Sequence, residues 1–162
     1  MRLFGVDADS FKIAVAIFDN SKLVGTMVLF ANKKEKPDDR AFCMFVEFSK
    51  LLDNMKPDMM VTEQSLYNQN FKSSRIIAEV IGFCKLACEQ RKIPFVLVYV
   101  PSWKKFITGK GNATKEEIFK TMLERHPGHK NVTQDEADAI SIGDYFLHSI
   151  EQQKMKEEND ER

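Results

Sequence analysis

The sequence predicts an α/β fold built on a five-stranded mixed sheet, three antiparallel strands followed by two parallel ones, with helices flanking it. Three observations carry this. The first thirty residues hold three apolar segments joined by links too short for a crossover connection. Beyond residue 38, helical periodicity alternates with two further short apolar segments. At 162 residues the chain has the size of one domain and can bury one ordinary core.

The elements follow in order. Arg2–Asp7 is a short apolar strand ending on an acid. Lys12–Asp19 is a continuous apolar run, as expected of a strand covered on both faces. Asn20-Ser21 is turn material, and Lys22–Phe30 is the third strand, with Gly25 marking a bulge. Ala31–Arg40 is a charged loop containing Pro37. From about Asp38 a helix places Ala41, Phe45, Phe48, Leu52 and Met55 on one face, and Pro57 stops it. Asp58–Glu63 is the fourth strand, again ending on an acid. Tyr67–Phe71 is a loop. Ser73–Arg91 reads as a helix with two apolar stripes, Ile76, Val80, Phe83, Ala87 and Ile77, Ile81, Cys84, Cys88. One core has room for one stripe, and Ala78 and Gly82 permit close approach of a second helix. Phe95–Val100 is the fifth strand, Pro101–Ile107 a short helix or turn, and 108–112 a Gly-containing loop. Thr114–Glu117 and Thr133–Glu136 are capping boxes that open helices at about Lys115 and Gln134. The last helix is expected to end near Gln152, so that residues 1–152 form the domain and 153–162 a charged, disordered tail.

Composition narrows the function classes. Hydrophobic residues are 43% and charged residues 30%, a globular balance. No apolar run reaches the ~18 residues of a membrane span, and Asp7 comes too early for a signal peptide. Three cysteines without a C-x-x-C pair or nearby histidines point to a reduced, cytoplasmic setting and away from zinc. Net charge is zero, which argues against a protein that coats nucleic acid over its whole surface. The charge is nevertheless segregated. Tyr99–Lys130 carries seven basic against three acidic residues, and Asn131–Arg162 nine acidic against three basic.

Four acids are not easily read as solvated surface. Asp7 and Glu63 end two strands that are neighbours if the sheet is as predicted, and ligands gather at such strand ends. Asp135 and Asp138 lie three apart, on one face in the first turn of an otherwise apolar helix. Converging carboxylates raise one another's pKa, and hard divalent cations such as Mg²⁺ or Mn²⁺ relieve that cost. Each acid also has a plainer account. A strand-end Asp is often a turn residue, Asp135 is favoured by the helix dipole alone, and Asp9 is a turn residue or an outer contact of Asp7. Spacing does not decide between these readings.

Motifs extend the argument. Gly5-Val6-Asp7, Thr62-Glu63-Gln64, Val100-Pro101-Ser102 leading to Lys104, Gly109-Lys110-Gly111-Asn112-Ala113-Thr114-Lys115 and Asp135-Glu136-Ala137-Asp138-Ala139 stand in this order. In order and context the chain resembles the RuvC family of Holliday-junction resolvases, from about Arg2 to His148. Actin-like ATPases share the Gly-Val-Asp start but are much longer and carry a second Gly-rich phosphate loop, whereas this chain has seven glycines.

The resemblance implies an RNase H-like fold, a homodimer through the helix at about 73–91, and symmetric paired nicking of four-way DNA junctions with two Mg²⁺ (or Mn²⁺) per active site. It implies Asp7, Glu63, Asp135 and Asp138 as metal ligands, with Lys104 and Lys115 near the scissile phosphate. Lys105, Lys110, Lys72 and Arg75 extend the DNA-binding face, together with Lys33, Lys34 and Lys36. The base-stacking aromatic of the family falls on Leu66, with Tyr67 beside it to substitute. The Pro-Gly that follows the first Asp in bacterial members is Ala8-Asp9 here, as in a divergent phage or viral form. Two other readings stay open: a nuclease of this fold acting on other branched DNA or on RNA–DNA hybrids, and a non-catalytic DNA-binding module. The presence of all four acids disfavours the last.

Overall fold

The structure is a computed structural model that describes residues 1–32, 34–64 and 71–160, with the side chains of 37, 38 and 71–73 outside the description. Five strands form one sheet: β1 (Arg2–Ala8), β2 (Lys12–Asp19), β3 (Lys22–Phe30), β4 (Met59–Glu63) and β5 (Phe95–Val98). Their order is β3-β2-β1-β4-β5. The β1–β2 and β2–β3 pairs are antiparallel, and β1–β4 and β4–β5 are parallel. This is the predicted mixed sheet. The ladder between β2 and β3 slips at Ile17/Phe18, opposite Gly25, where the bulge was expected.

Strand alternation splits the core into two layers. Phe4, Val6, Ile13, Val15, Ile17 and Met60 face α1 (Pro37–Met55) and α2 (Phe71–Glu89). Leu3, Ala14, Ala16, Phe18 and Val61 face the other way. That side is covered by α3 (Val100–Thr108), α4 (Lys115–Arg125) and α5 (Gln134–Asp160). Both predicted capping boxes are formed. Thr114 and Glu117 cap α4 reciprocally. At α5, Glu136 N donates to Thr133 Oγ1 at 3.3 Å, and Thr133 N donates to Glu136 Oε2 at 2.7 Å.

Helix α5 packs tightly against β1 and β2. A methyl group built on Gly5 would lie 2.4 Å from the Ala139 carbonyl oxygen. One built on Gly143 would lie 2.3 Å from the Phe18 ring. Hydrogen therefore stands at both positions for reasons of space, and the small Ala14 and Ala16 continue the same seat.

Two expectations are corrected. The apolar stripes of α2 are partly used within the protomer, with Ile76, Ile77, Ile81 and Phe83 only half-buried. Val80, Cys84, Ala87 and Cys88, drawn from both stripes, are buried together in the protomer's own core. The stripes adjoin, so they form one broad face, and the helix leaves Ala78, Gly82 and Leu86 exposed instead. Residues 153–160 of the expected tail are also not irregular, because α5 continues to Asp160 with residues 151–160 exposed. That stretch holds no Gly, Pro or β-branched residue and is rich in Gln, Lys and Glu, so local propensity extends the helix beyond its packing surface.

Overpacking at the β1–α5 contact is expected to be costly. Gly5→Ala should lower stability by about 1–3 kcal/mol in urea unfolding. Gly128→Ala, in a loop where an added methyl meets nothing within 4 Å, should change it by less than ~0.5 kcal/mol. Equal effects at the two positions would remove the steric account.

Candidate active site

Alternation along β1 puts Asp7 on the same face as Leu3 and Gly5, the face under α5. Alternation along β4 does the same for Glu63, through Met59 and Val61. The parallel register pairs Val6 with Thr62, so Asp7 and Glu63 leave adjacent strands at the same level. The start of α5 is held over this end of the sheet by Glu136, which caps the helix and accepts from Thr26 Oγ1 of β3 at 2.6 Å. Asp135 and Asp138 then project from the first turn of α5 into the same cleft. The cleft has a volume of about 440 Å³, and its lining includes Asp7, Glu63, Trp103, Lys104, Lys115, Asp135 and Asp138.

Each predicted metal-binding acid and both predicted phosphate-proximal lysines therefore meet at one place. Lys115 Nζ stands 3.9 Å from Asp135 Oδ1 and 3.8 Å from Asp138 Oδ2. Lys104 Nζ is 3.4 Å from the Ala113 carbonyl. Asp9, read as a turn residue or outer contact, lines the rim. The other basic candidates lie elsewhere. Lys110 is exposed and paired with Glu117 at 2.9 Å, Arg75 pairs with Glu79 at 3.0 Å, and Lys105 is exposed outside the cleft lining. Leu66, Tyr67 and Lys33 lie outside the described residues, as does the side chain of Lys72.

Three contacts escape a reading of the sequence. Trp103 is buried, yet it donates its indole N–H to Glu63 Oε2 at 3.2 Å. This fixes one oxygen of Glu63. Lys12, taken as the first residue of a strand, forms an ion pair with Asp135. His126 is tied to Asp144 at 2.7 Å and links the end of α4 to α5.

The site is electrostatically tense. Burial pushes the Asp7 carboxyl well above the usual carboxylate range. Glu63, Asp138 and Asp135 push it further, and Lys115 opposes them. Burial also raises Glu63, against the Trp103 hydrogen bond and the charges of Lys104 and Lys115. Asp138 is pushed up to about 6, first by burial, with Lys115 opposing. Its Oδ1 is buried and has no hydrogen-bond partner among the described residues. Among the described residues no three Asp, Glu, His or Cys side chains already form a chelating set, and lysine ammoniums stand against Asp135 and Asp138. The donor set is nonetheless all carboxylate oxygen, with one orphaned oxygen facing acids whose charge needs compensation. That chemistry fits a hard divalent cation.

A pH dependence follows for the metal-free protein. The folded state keeps a proton on Asp138 that the unfolded chain releases near pH 4, so its contribution to stability is lost as pH rises from about 4 to 6. In EDTA, Asp138→Asn should be more stable than wild type at pH 7 by about 3 kcal/mol, and the difference should vanish near pH 4. Urea unfolding across this range tests it; a variant less stable than wild type at pH 7 contradicts it.

The family model for the crossover junction endodeoxyribonuclease RuvC matches residues 4–143. Crossover junction endodeoxyribonuclease RuvC of Fusobacterium nucleatum is 30% identical over 157 residues, covering 93% of this chain and 82% of the relative. The Finegoldia magna protein of that name is 27% identical over 151 residues, covering 88% and 90%. Among solved structures, Thermus thermophilus RuvC in complex with a Holliday junction substrate superposes with a TM-score of 0.75 at 17% identity, covering 90% of this chain and 92% of that one. The yeast mitochondrial Holliday junction resolvase Ydc2 gives 0.58 at 14% identity, covering 90% and 77%. These two likenesses concern the fold, which is that of RuvC and hence RNase H-like. With a matching family model over most of its length and a relative at 30% identity, the chain belongs to the RuvC family of crossover junction endodeoxyribonucleases.

Proposed function

We propose that this protein resolves four-way DNA junctions by metal-dependent hydrolysis of one phosphodiester in each of two like strands. The observation that carries the reading is the meeting of Asp7, Glu63, Asp135 and Asp138 in one cleft with Lys104 and Lys115. We assign the four carboxylates as ligands of two Mg²⁺ or Mn²⁺ ions. Such a pair, when bound, activates a water and stabilises the leaving oxygen of a phosphodiester. The chain's own groups do the rest. Trp103 holds Glu63 in one orientation, leaving its second oxygen for the ion. Glu136 keeps Asp135 and Asp138 over the ends of β1 and β4. Lys115, at the first position of α4, binds the scissile phosphate beside the helix N-terminus and offsets charge that grows in the transition state. Lys104 supports the phosphate from α3. Lys34 and Lys36, remote from the cleft, contribute only general attraction to DNA.

Paired nicking needs two active sites, which we assign to a two-fold homodimer. The exposed α2 face carrying Ala78, Gly82 and Leu86 is the surface we assign to it: small residues let a second helix approach closely, and Leu86 supplies apolar area. The reduced cysteines fit action in the cytoplasm. Among the described residues no helix is long and apolar enough to cross a membrane.

The test is cleavage of a four-way junction, a three-way junction, a flap, a duplex and an RNA–DNA hybrid under single-turnover conditions. The four-way junction should be cut fastest, in symmetric pairs, by a species that sediments as a dimer. Asp7→Asn, Glu63→Gln, Asp135→Asn and Asp138→Asn should each abolish most cleavage while junction binding persists. Lys115→Ala should lower the bound-state rate by at least ~10²-fold. Near wild-type rates in two of the acid variants would remove the site assignment, and faster cleavage of the hybrid would replace the substrate.

A further inference from the structure

Lys12 belongs to none of the motifs that carry the family resemblance, yet it is held at the edge of the cleft by the fold. Its carbonyl accepts from Asp9 N at 2.9 Å, and its residue pairs with Phe30 across the β2–β3 ladder. Alternation along β2 places it on the face of Ala14, Ala16 and Phe18, the face that α5 covers. The side chain therefore runs beneath the first turn of α5, where its ammonium is paired with Asp135 Oδ2. The pair is largely sheltered, with the two side chains 31% and 15% exposed, so salt screens it less than a surface pair. The other oxygen of Asp135 faces Lys115 at 3.9 Å. The remaining charged groups around this end of the cleft are Asp7, Asp9, Glu63, Asp138 and Lys104.

We propose that Lys12 is a positioning residue that occupies the cation position at Asp135 in the free protein, so that a divalent ion engages this carboxylate only by displacing the Lys12 ammonium. The proposal rests on the reading of Asp135 as a metal ligand. An ammonium in contact with a carboxylate uses the lone pairs an incoming ion needs and repels that ion directly. The side chain is flexible and four carbons long, so it can leave Asp135 without moving β2. Once released, the ammonium stays beside the cleft, where the phosphates of a bound DNA strand can accept it. Metal and DNA then favour the same arrangement, and each raises the affinity for the other. In the absence of both, Lys12 compensates part of the carboxylate charge that would otherwise open the site.

The test is Mn²⁺ binding to the full-length protein without DNA, followed by the electron paramagnetic resonance of free Mn²⁺. Lys12→Met should bind Mn²⁺ at least ~10-fold more tightly than wild type. Lys12→Arg should stay near wild type, and Asp135→Asn should bind more weakly. A gain of affinity is an outcome that general loss of structure does not produce. As a second readout, Lys12→Met should melt below wild type in EDTA and gain more in melting temperature than wild type does on addition of Mn²⁺. If Lys12→Met binds Mn²⁺ no more tightly than wild type while Asp135→Asn loses affinity, the role of Lys12 is overturned and the ligand assignment stands. If Asp135→Asn binds like wild type, both are overturned.

Discussion

The contact of α5 with β1 is the constraint on which the site depends. Asp135 and Asp138 belong to a helix and Asp7 to a strand, and they can share a cleft only if helix and strand approach to within the width of a glycine. Gly5 permits that approach, since a methyl group there would meet the Ala139 carbonyl oxygen at 2.4 Å, and Gly143 seats the same helix on the Phe18 ring of β2, which a methyl group would meet at 2.3 Å. The reciprocal cap at Thr133 and Glu136 sets where the helix begins, and the Thr26–Glu136 hydrogen bond anchors that beginning to the sheet. Packing thus fixes the distance between the carboxylate pairs, and capping fixes their level along the sheet.

Such convergence has an electrostatic consequence. Desolvation pushes Asp7, Glu63 and Asp138 above the usual carboxylate range, and repulsion from neighbouring acids adds to it at Asp7 and Asp138, so the cleft resists being fully ionised on its own. Three lysines, one each on β2, α3 and α4, compensate part of this charge within the protein. Their positions differ in kind. Lys115 is 61% exposed and reaches two acids at once, Lys104 leans on α3, and Lys12 is paired with a single oxygen beneath α5. A cleft balanced in this way is ready to exchange internal cations for divalent ions and to hand its lysines to phosphate. Trp103 adds the opposite quality, a fixed orientation, at Glu63.

Much of this was legible in the residues. Strand-end acids, two capping boxes and alternating apolar runs placed the sheet and brought the acids to one end of it, and the family motifs singled out Lys104 and Lys115. The contacts that were missed depend on register and facing. Lys12 looks like any charged residue opening a strand until the strand's pleat and its covering helix are known. Trp103 reads as core because its ring is core; only its one polar atom reaches the site. The two stripes of α2 adjoin, and their residues Val80, Cys84, Ala87 and Cys88 share one buried face, which turns the exposed side to Ala78 and Gly82. Charge alone points to a disordered tail after Gln152, whereas helix propensity, undisturbed by Gly or Pro, governs the backbone as far as Asp160.

The central claim is that these four carboxylates hold the divalent ions of the reaction. Anomalous scattering from crystals of the protein soaked in Mn²⁺ tests it most directly. The account predicts anomalous density within the cleft, at coordination distance from Asp7 and from at least two of Glu63, Asp135 and Asp138. Saturating Mn²⁺ with density elsewhere on the surface, and none between these acids, would contradict it.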